Sequence, residues 1–220
     1  ITPDEQAQRV VDSPAPKGSE GRWMTRAALP LPRSEMAWAT GWAGRAHIVG
    51  GYGEGRVDRT YHHIYDPEKD VWFDGAPLPV VANHVVVAAD AGRVYALGGF
   101  IEQNRNPDHN AYAYDVAANR WDKIAPLPRP RGAGAAVVLN GRIHLIGGAS
   151  EPTMERASVG WHEVYDPKAD KWTTLKTLPG ARAHVGCVAY NGIIHVIGGR
   201  FNTVEYNTAQ SPGLSVRSSA

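Results

Sequence analysis

Along most of this chain, short apolar runs alternate with clusters of turn-forming residues at a fixed beat. Nearly continuous apolar runs stand at 37–39, 84–89, 133–139 and 185–190. Runs without polar alternation predict strands covered on both faces. Each leads through a Gly-containing turn into a second run that ends in a glycine pair. The pairs are Gly50-Gly51, Gly98-Gly99, Gly147-Gly148 and Gly198-Gly199, at steps of 48, 49 and 51 residues. A third predicted strand ends in Tyr65-Asp66, Tyr114-Asp115 or Tyr165-Asp166. A fourth carries Trp72, Trp121 or Trp172, seven residues beyond the Tyr. Trp23 extends the same beat towards the N-terminus, and a Leu-Pro step (29–30, 78–79, 127–128, 178–179) follows each Trp. Several features locked to one period of about 50 residues mark an internal repeat of four short strands.

The residue types fit the elements. A glycine pair at the end of a buried strand permits positive φ and close approach of a neighbouring backbone. Tyr and Trp on adjacent strands fill the gap between successive sheets, with OH and NH left to bond loop groups. Asp66-Pro67 and its copies start tight turns. One four-stranded sheet cannot hide two apolar faces, but radial stacking can, which predicts an all-β propeller.

An apolar strand, a second strand closing on Gly-Gly, then Tyr-Asp and Trp at this spacing resembles the kelch motif. The resemblance spans Trp23 to about Gly199. It implies a kelch-type β-propeller, a family in which about six blades are common, and the repeats present here make up about four blades. Most such propellers are protein-interaction modules; a minority are enzymes, among them galactose oxidase and the sialic-acid mutarotases. The first expectation is therefore a non-catalytic scaffold that binds a protein or an anionic ligand through loops on one face. The alternative is a carbohydrate-processing enzyme resembling the mutarotases.

The repeat divides the chain into a polar N-terminal extension (1–20), the blades (21–199) and an irregular tail (200–220). The fourth repeat is broken. Tyr206 follows its glycine pair by seven residues, against 14, 15 and 17 in the others, and Gly213 stands where a Trp is due. The expectation is an incomplete last blade in a truncated relative of a larger propeller, with self-association if the ring is open. The competing arrangement is a four-bladed ring closed by the Trp23 strand.

Charge narrows the partners. Lys plus Arg total 23 against 22 Asp plus Glu, a net charge of +1, which gives nucleic acid or an anionic membrane no strong attraction. No apolar run is long enough for a membrane-spanning helix. Cys187 is the single cysteine, so an internal disulfide is excluded. The compartment stays open, with a soluble exported or periplasmic one favoured.

Candidate chemistry lies at strand ends. Arg33, His84, Arg131, Arg182 and His184 stand on the loops entering the first strands, around one mouth of the channel. Such a ring suits a carboxylate or an acidic peptide, although arginines there also serve to bond loop carbonyls. Arg105 and Arg156 sit on the variable loops after the glycine pairs, where rigid scaffolds place specificity. His47, His144 and His195 share one register three residues before a glycine pair and read as packing, not as a metal site. Cys187 reads as a buried small residue. No cofactor and no metal are expected, and no catalytic residue is assigned.

Overall fold

The computed structural model describes residues 24–41, 44–103, 106–150 and 157–201, with short strands at 204–205 and 214–217. Trp23, Arg105, Arg156 and the extension 1–20 lie outside the described residues. No α-helix occurs among the described residues, and a 3-10 turn spans Glu54–Arg56.

Three complete four-stranded antiparallel sheets follow one another, each running outwards in chain order. Blade 1 comprises Ala37–Thr40, Ala46–Val49, His62–Asp66 and Val71–Asp74. Blade 2 comprises Val86–Asp90, Arg93–Leu97, Ala111–Asp115 and Arg120–Lys123. Blade 3 comprises Ala135–Leu139, Arg142–Ile146, His162–Asp166 and Lys171–Thr174. The first strands are neighbours in order, so they line a common channel. The fold is that of a β-propeller.

The fourth sheet departs from expectation. Gly186–Tyr190 and Ile193–Ile197 form its inner strands, and Leu214–Arg217 supplies a third, pairing Ile194 with Val216 and Val196 with Leu214. Residues 200–220 are therefore not irregular throughout. The strand escapes a search for the Tyr-Trp beat because it lies beyond Gly213, where neither aromatic marks it.

The blades are joined by three devices, each rooted in the period. Apolar residues of facing sheets form the first, as where Val86, Ala88 and Leu97 of blade 2 meet Ile143, Leu145 and Trp172 of blade 3. The second is a backbone clip. Trp121 Nε1 donates to the Ala76 carbonyl (2.8 Å), while the Ala76 N–H donates to Asn119 Oδ1 (2.7 Å), itself held by Tyr114 OH. Trp172 and Asp170 hold Ala125 in the same way, and Trp72 and Asp70 hold Ala27. The Trp and Tyr are thus the two ends of one clip, which is why they keep a fixed spacing.

The glycine pair is the third joint. The second glycine donates to a loop carbonyl of the next blade: Gly51 to Ala82, Gly99 to Arg131 and Gly148 to Arg182, each at 2.9 Å. The first glycine lies under that same carbonyl at positive φ. A Cβ on Gly50 would stand 2.6 Å from Ala82 O, and one on Gly147 2.6 Å from Arg182 O. Any side chain there would both strain the backbone and push the blades apart.

Candidate functional site

The loops entering the first strands and the loops after the glycine pairs meet on one face, bridged at Ser34–Tyr52, Asn83–Phe100, Gly132–Ala149 and Ala183–Arg200. Three short hairpins crown this face: Phe100–Ile101 with Asn106–Pro107, Ala149–Ser150 with Ala157–Ser158, and Arg200–Phe201 with Val204–Glu205. At its centre opens the channel, a cavity of about 510 Å³ walled by small apolar residues such as Ala37, Ala88, Ala135 and Cys187. Burial pushes the Cys187 thiol up to about 12, so it offers no thiolate.

A backbone belt frames the mouth. Glu35, His84, Ala133 and His184 occupy equivalent places, each in the left-handed region (φ 51, 49, 55 and 56°). His84 N–H donates to Glu35 O, Ala133 N–H to His84 O, and His184 N–H to Ala133 O, at 2.7–2.9 Å. The belt fixes where three polar side chains start.

Those side chains converge. His84 Nε2 lies 2.9 Å from Glu35 Oε2, and the His84 and His184 rings meet edge-on with centroids 5.2 Å apart. Arg200 donates to His184 Nε2 at 3.1 Å. The hydrogen bond from His84, aided by the positive field of His84, His184 and Arg200, holds the Glu35 carboxyl at about 2 despite its partial burial. Behind His84 stands a buried relay: Nδ1 contacts Asn83 Oδ1 (2.5 Å), and Asn83 Nδ2 donates to Asp58 Oδ1 (2.7 Å) and Phe100 O (3.0 Å).

Of the residues expected at this mouth, His84 and His184 are there. The arginines lie deeper. Arg131 is 0% exposed, ion-paired to buried Glu163 and donating to Leu145 O, with Trp161 against its guanidinium. Arg182 is buried and donates to Gly198 O. Arg33 contacts His63 and Gly50 O and lies over Tyr61. These arginines brace their own blades, because a guanidinium spans several loop carbonyls at once.

Glu35, Asn83, Asp58 and Arg200 complete the mouth without having been singled out. Glu35 was hidden by register: it stands fifteen residues before Gly50, whereas His84, Ala133 and His184 stand fourteen before theirs. The shared-register histidines are packing groups in two blades. His47 Nδ1 and His62 Nε2 lie 2.9 Å apart in blade 1, as do His144 Nδ1 and His162 Nε2 in blade 3. Unequal loops between the partners, 14 and 17 residues long, conceal this pairing in the sequence.

Comparison with known proteins agrees with the fold. Two kelch-motif family models match residues 82–128 and 130–179. A kelch-like protein, terF, of Aspergillus terreus is 29% identical over 197 residues, covering 82% of this chain and 43% of that protein. Kelch repeat-containing protein At3g27220 of Arabidopsis thaliana is 29% identical over 196 residues, covering 86% and 45%. Kelch-like protein 38 of Homo sapiens is 29% identical over 163 residues, covering 74% and 26%. The solved structure of YjhT superposes with a TM-score of 0.69 at 15% identity, over 80% of this chain and 65% of that one. The chain spans less than half the length of these curated relatives.

The blades, their joints and these matches define a kelch-type β-propeller scaffold. The chain carries two kelch motifs and is similar to kelch-repeat proteins. No helix among the described residues is long and apolar enough to cross a membrane.

Proposed function

We propose that this chain is a scaffold that binds a protein partner on the hairpin-crowned face. One observation carries the reading: exposed apolar side chains stand on the loops of this face, with Met36 at the channel mouth, Val57 and Val81 beside a second cavity edged by Asp58, Glu102 and Gln103, and Phe201 on a hairpin. Met36 follows Glu35 and Phe201 follows Arg200 in the chain, next to the charged cluster of Glu35, His84, His184 and Arg200. Apolar contacts interspersed with a few oriented charges are the composition of a protein-binding patch. Arg131 and Arg182 are buried in bracing contacts, which leaves Arg200 as the guanidinium at this mouth among the described residues. Arg200 supplies a cation for an acidic side chain of the partner, and His184 and His84 flank it. Arg105 and Arg156, which follow glycine pairs in the sequence, are proposed as further contacts.

The test places a photo-crosslinking residue at Val81 and, on the opposite face, at Asn140. The Val81 probe should give a discrete adduct that unlabelled protein competes away, and M36D/V57D/V81D should fail to compete. Equal adducts from Asn140, or full competition by the triple variant, would remove this face as the binding surface.

A further inference from the structure

The geometry points to a divalent transition-metal site of the zinc class at the channel mouth, held by Glu35, His84 and His184 from three different blades. One ligand atom from each lies within 4.8 Å of the others. Two imidazoles and one carboxylate form a three-ligand set that leaves a position open for water or an outside donor.

Proton placement supports the assignment. Asn83 Nδ2 faces two pure acceptors, Asp58 Oδ1 and Phe100 O, so its Oδ1 must face His84. His84 Nδ1 therefore carries a hydrogen and donates it. Nε2 lies 2.9 Å from Glu35 Oε2. Without a metal, a proton on Nε2 fills that contact, and a bound cation would replace the proton between the same two atoms. An N–H fixed by a buried amide oxygen behind the ring is also the second-sphere contact that orients metal-ligating histidines. His184 Nε2 accepts from Arg200, so it too presents a lone pair towards the mouth.

The belt explains how the ligands can act together. Glu35, His84 and His184 start from equivalent backbone positions, and their spacing is set by interblade hydrogen bonds, not by flexible loops. Ala133 holds the fourth such place and carries no donor, which leaves that side open. Arg200 opposes the ion: it adds like charge and occupies the lone pair of His184. A metal must displace it, which gives the site an internal competitor.

The experiment titrates the full chain with ZnSO4 by calorimetry and with CoCl2 by visible absorption. Glu35 and His184 have exposed side chains, so E35Q and H184A remove a ligand without opening the core. One ion should bind per chain, with Co²⁺ showing the d–d bands of a low-coordinate N/O site. E35Q and H184A should each weaken Zn²⁺ binding by at least about tenfold. H109A, at an exposed histidine elsewhere, should not. R200A should bind zinc more tightly than the parent chain. No saturable binding by the parent chain in the tens of micromolar would overturn the assignment. So would H109A costing as much as H184A, or R200A binding more weakly. None of these outcomes depends on whether the Val81 probe finds a protein.

Discussion

The joint between blades 2 and 3 and the outer face of blade 4 carry the same apolar positions in two different settings. In the joint, Ala88 and Leu97 are 5% and 0% exposed. Val188 and Ile197 occupy the same places two repeats later and are 48% and 46% exposed. Tyr190 beside them is also exposed, as is Trp38 on the outer face of blade 1. The local sequence demands a cover in both cases, but among the described residues only the joint has one. Repeat architectures behave this way, since each unit is stable only through its neighbours. The apolar beat specifies a blade, and the adjacent blade decides what that beat is worth.

The largest expected effect comes from cutting one clip inside a joint. Trp121 is buried between blades 1 and 2, against Tyr114 and His62, and its indole N–H reaches Ala76 O. Trp121→Ala should cost roughly 3–5 kcal/mol, the range for deleting a buried large aromatic. Trp72 makes the same bond to Ala27 but is only half-buried, so Trp72→Ala should cost clearly less. Urea melts of both variants check this. Equal losses, or less than about 1 kcal/mol for Trp121→Ala, would mean that the joint does not differ from a free face.

Acid should loosen the joints next. His47 and His62 pack against Tyr114 of blade 2, and burial holds both down at about 4. Burial likewise holds His144 at about 4 and lowers its partner His162. In the unfolded chain these groups protonate near 6.5, so between about 6.5 and 4 the unfolded state binds more protons. The stability from keeping them neutral is present above pH 6.5 and is lost as pH falls towards 4. Each suppressed protonation is worth up to about 3 kcal/mol. His47→Phe should flatten the slope of stability against pH in that window, measured by urea melts from pH 7.5 to 4.5. An unchanged slope in this variant and in His144→Phe would show that the pairs are not the acid-labile element.

What the sequence made legible follows from what repeats. The glycine pairs, the Tyr–Trp clip and the apolar first strands recur because every joint has the same geometry, so three full blades could be read directly. The mouth was legible only in part, because its residues differ from blade to blade. His84 and His184 share a register and could be found. Glu35 is shifted by one residue by a longer inner turn, and Asn83 and Asp58 matter only through a relay that crosses two loops. For the arginines the sequence leaves ligand contact and bracing side by side, because a loop arginine and a bracing arginine are identical in sequence. Only the positions of Glu163, Trp161 and the loop carbonyls separate the two roles.

The smallest effect on folding, and the sharpest on association, belongs to the exposed face of blade 4. Val188 and Tyr190 touch little, so Val188→Ser/Tyr190→Ser should change stability by no more than about 0.5 kcal/mol per site. The same side chains can drive self-association. Covering two such groups is worth roughly 3–6 kcal/mol, against an association cost of about 4–15 kcal/mol. These ranges barely overlap, so the contact should be weak and visible only at high concentration. Trp38 at the other end supplies a different apolar face, which makes the pairing head-to-tail. In sedimentation at several concentrations, the parent chain should rise above its 23.8 kDa monomer mass while the double variant stays there. A parent chain that remains a compact monomer at every concentration would refute an uncovered outer face. The segment carrying Trp23 would then be the candidate cover, and the joint and the blade 4 face would no longer be opposites.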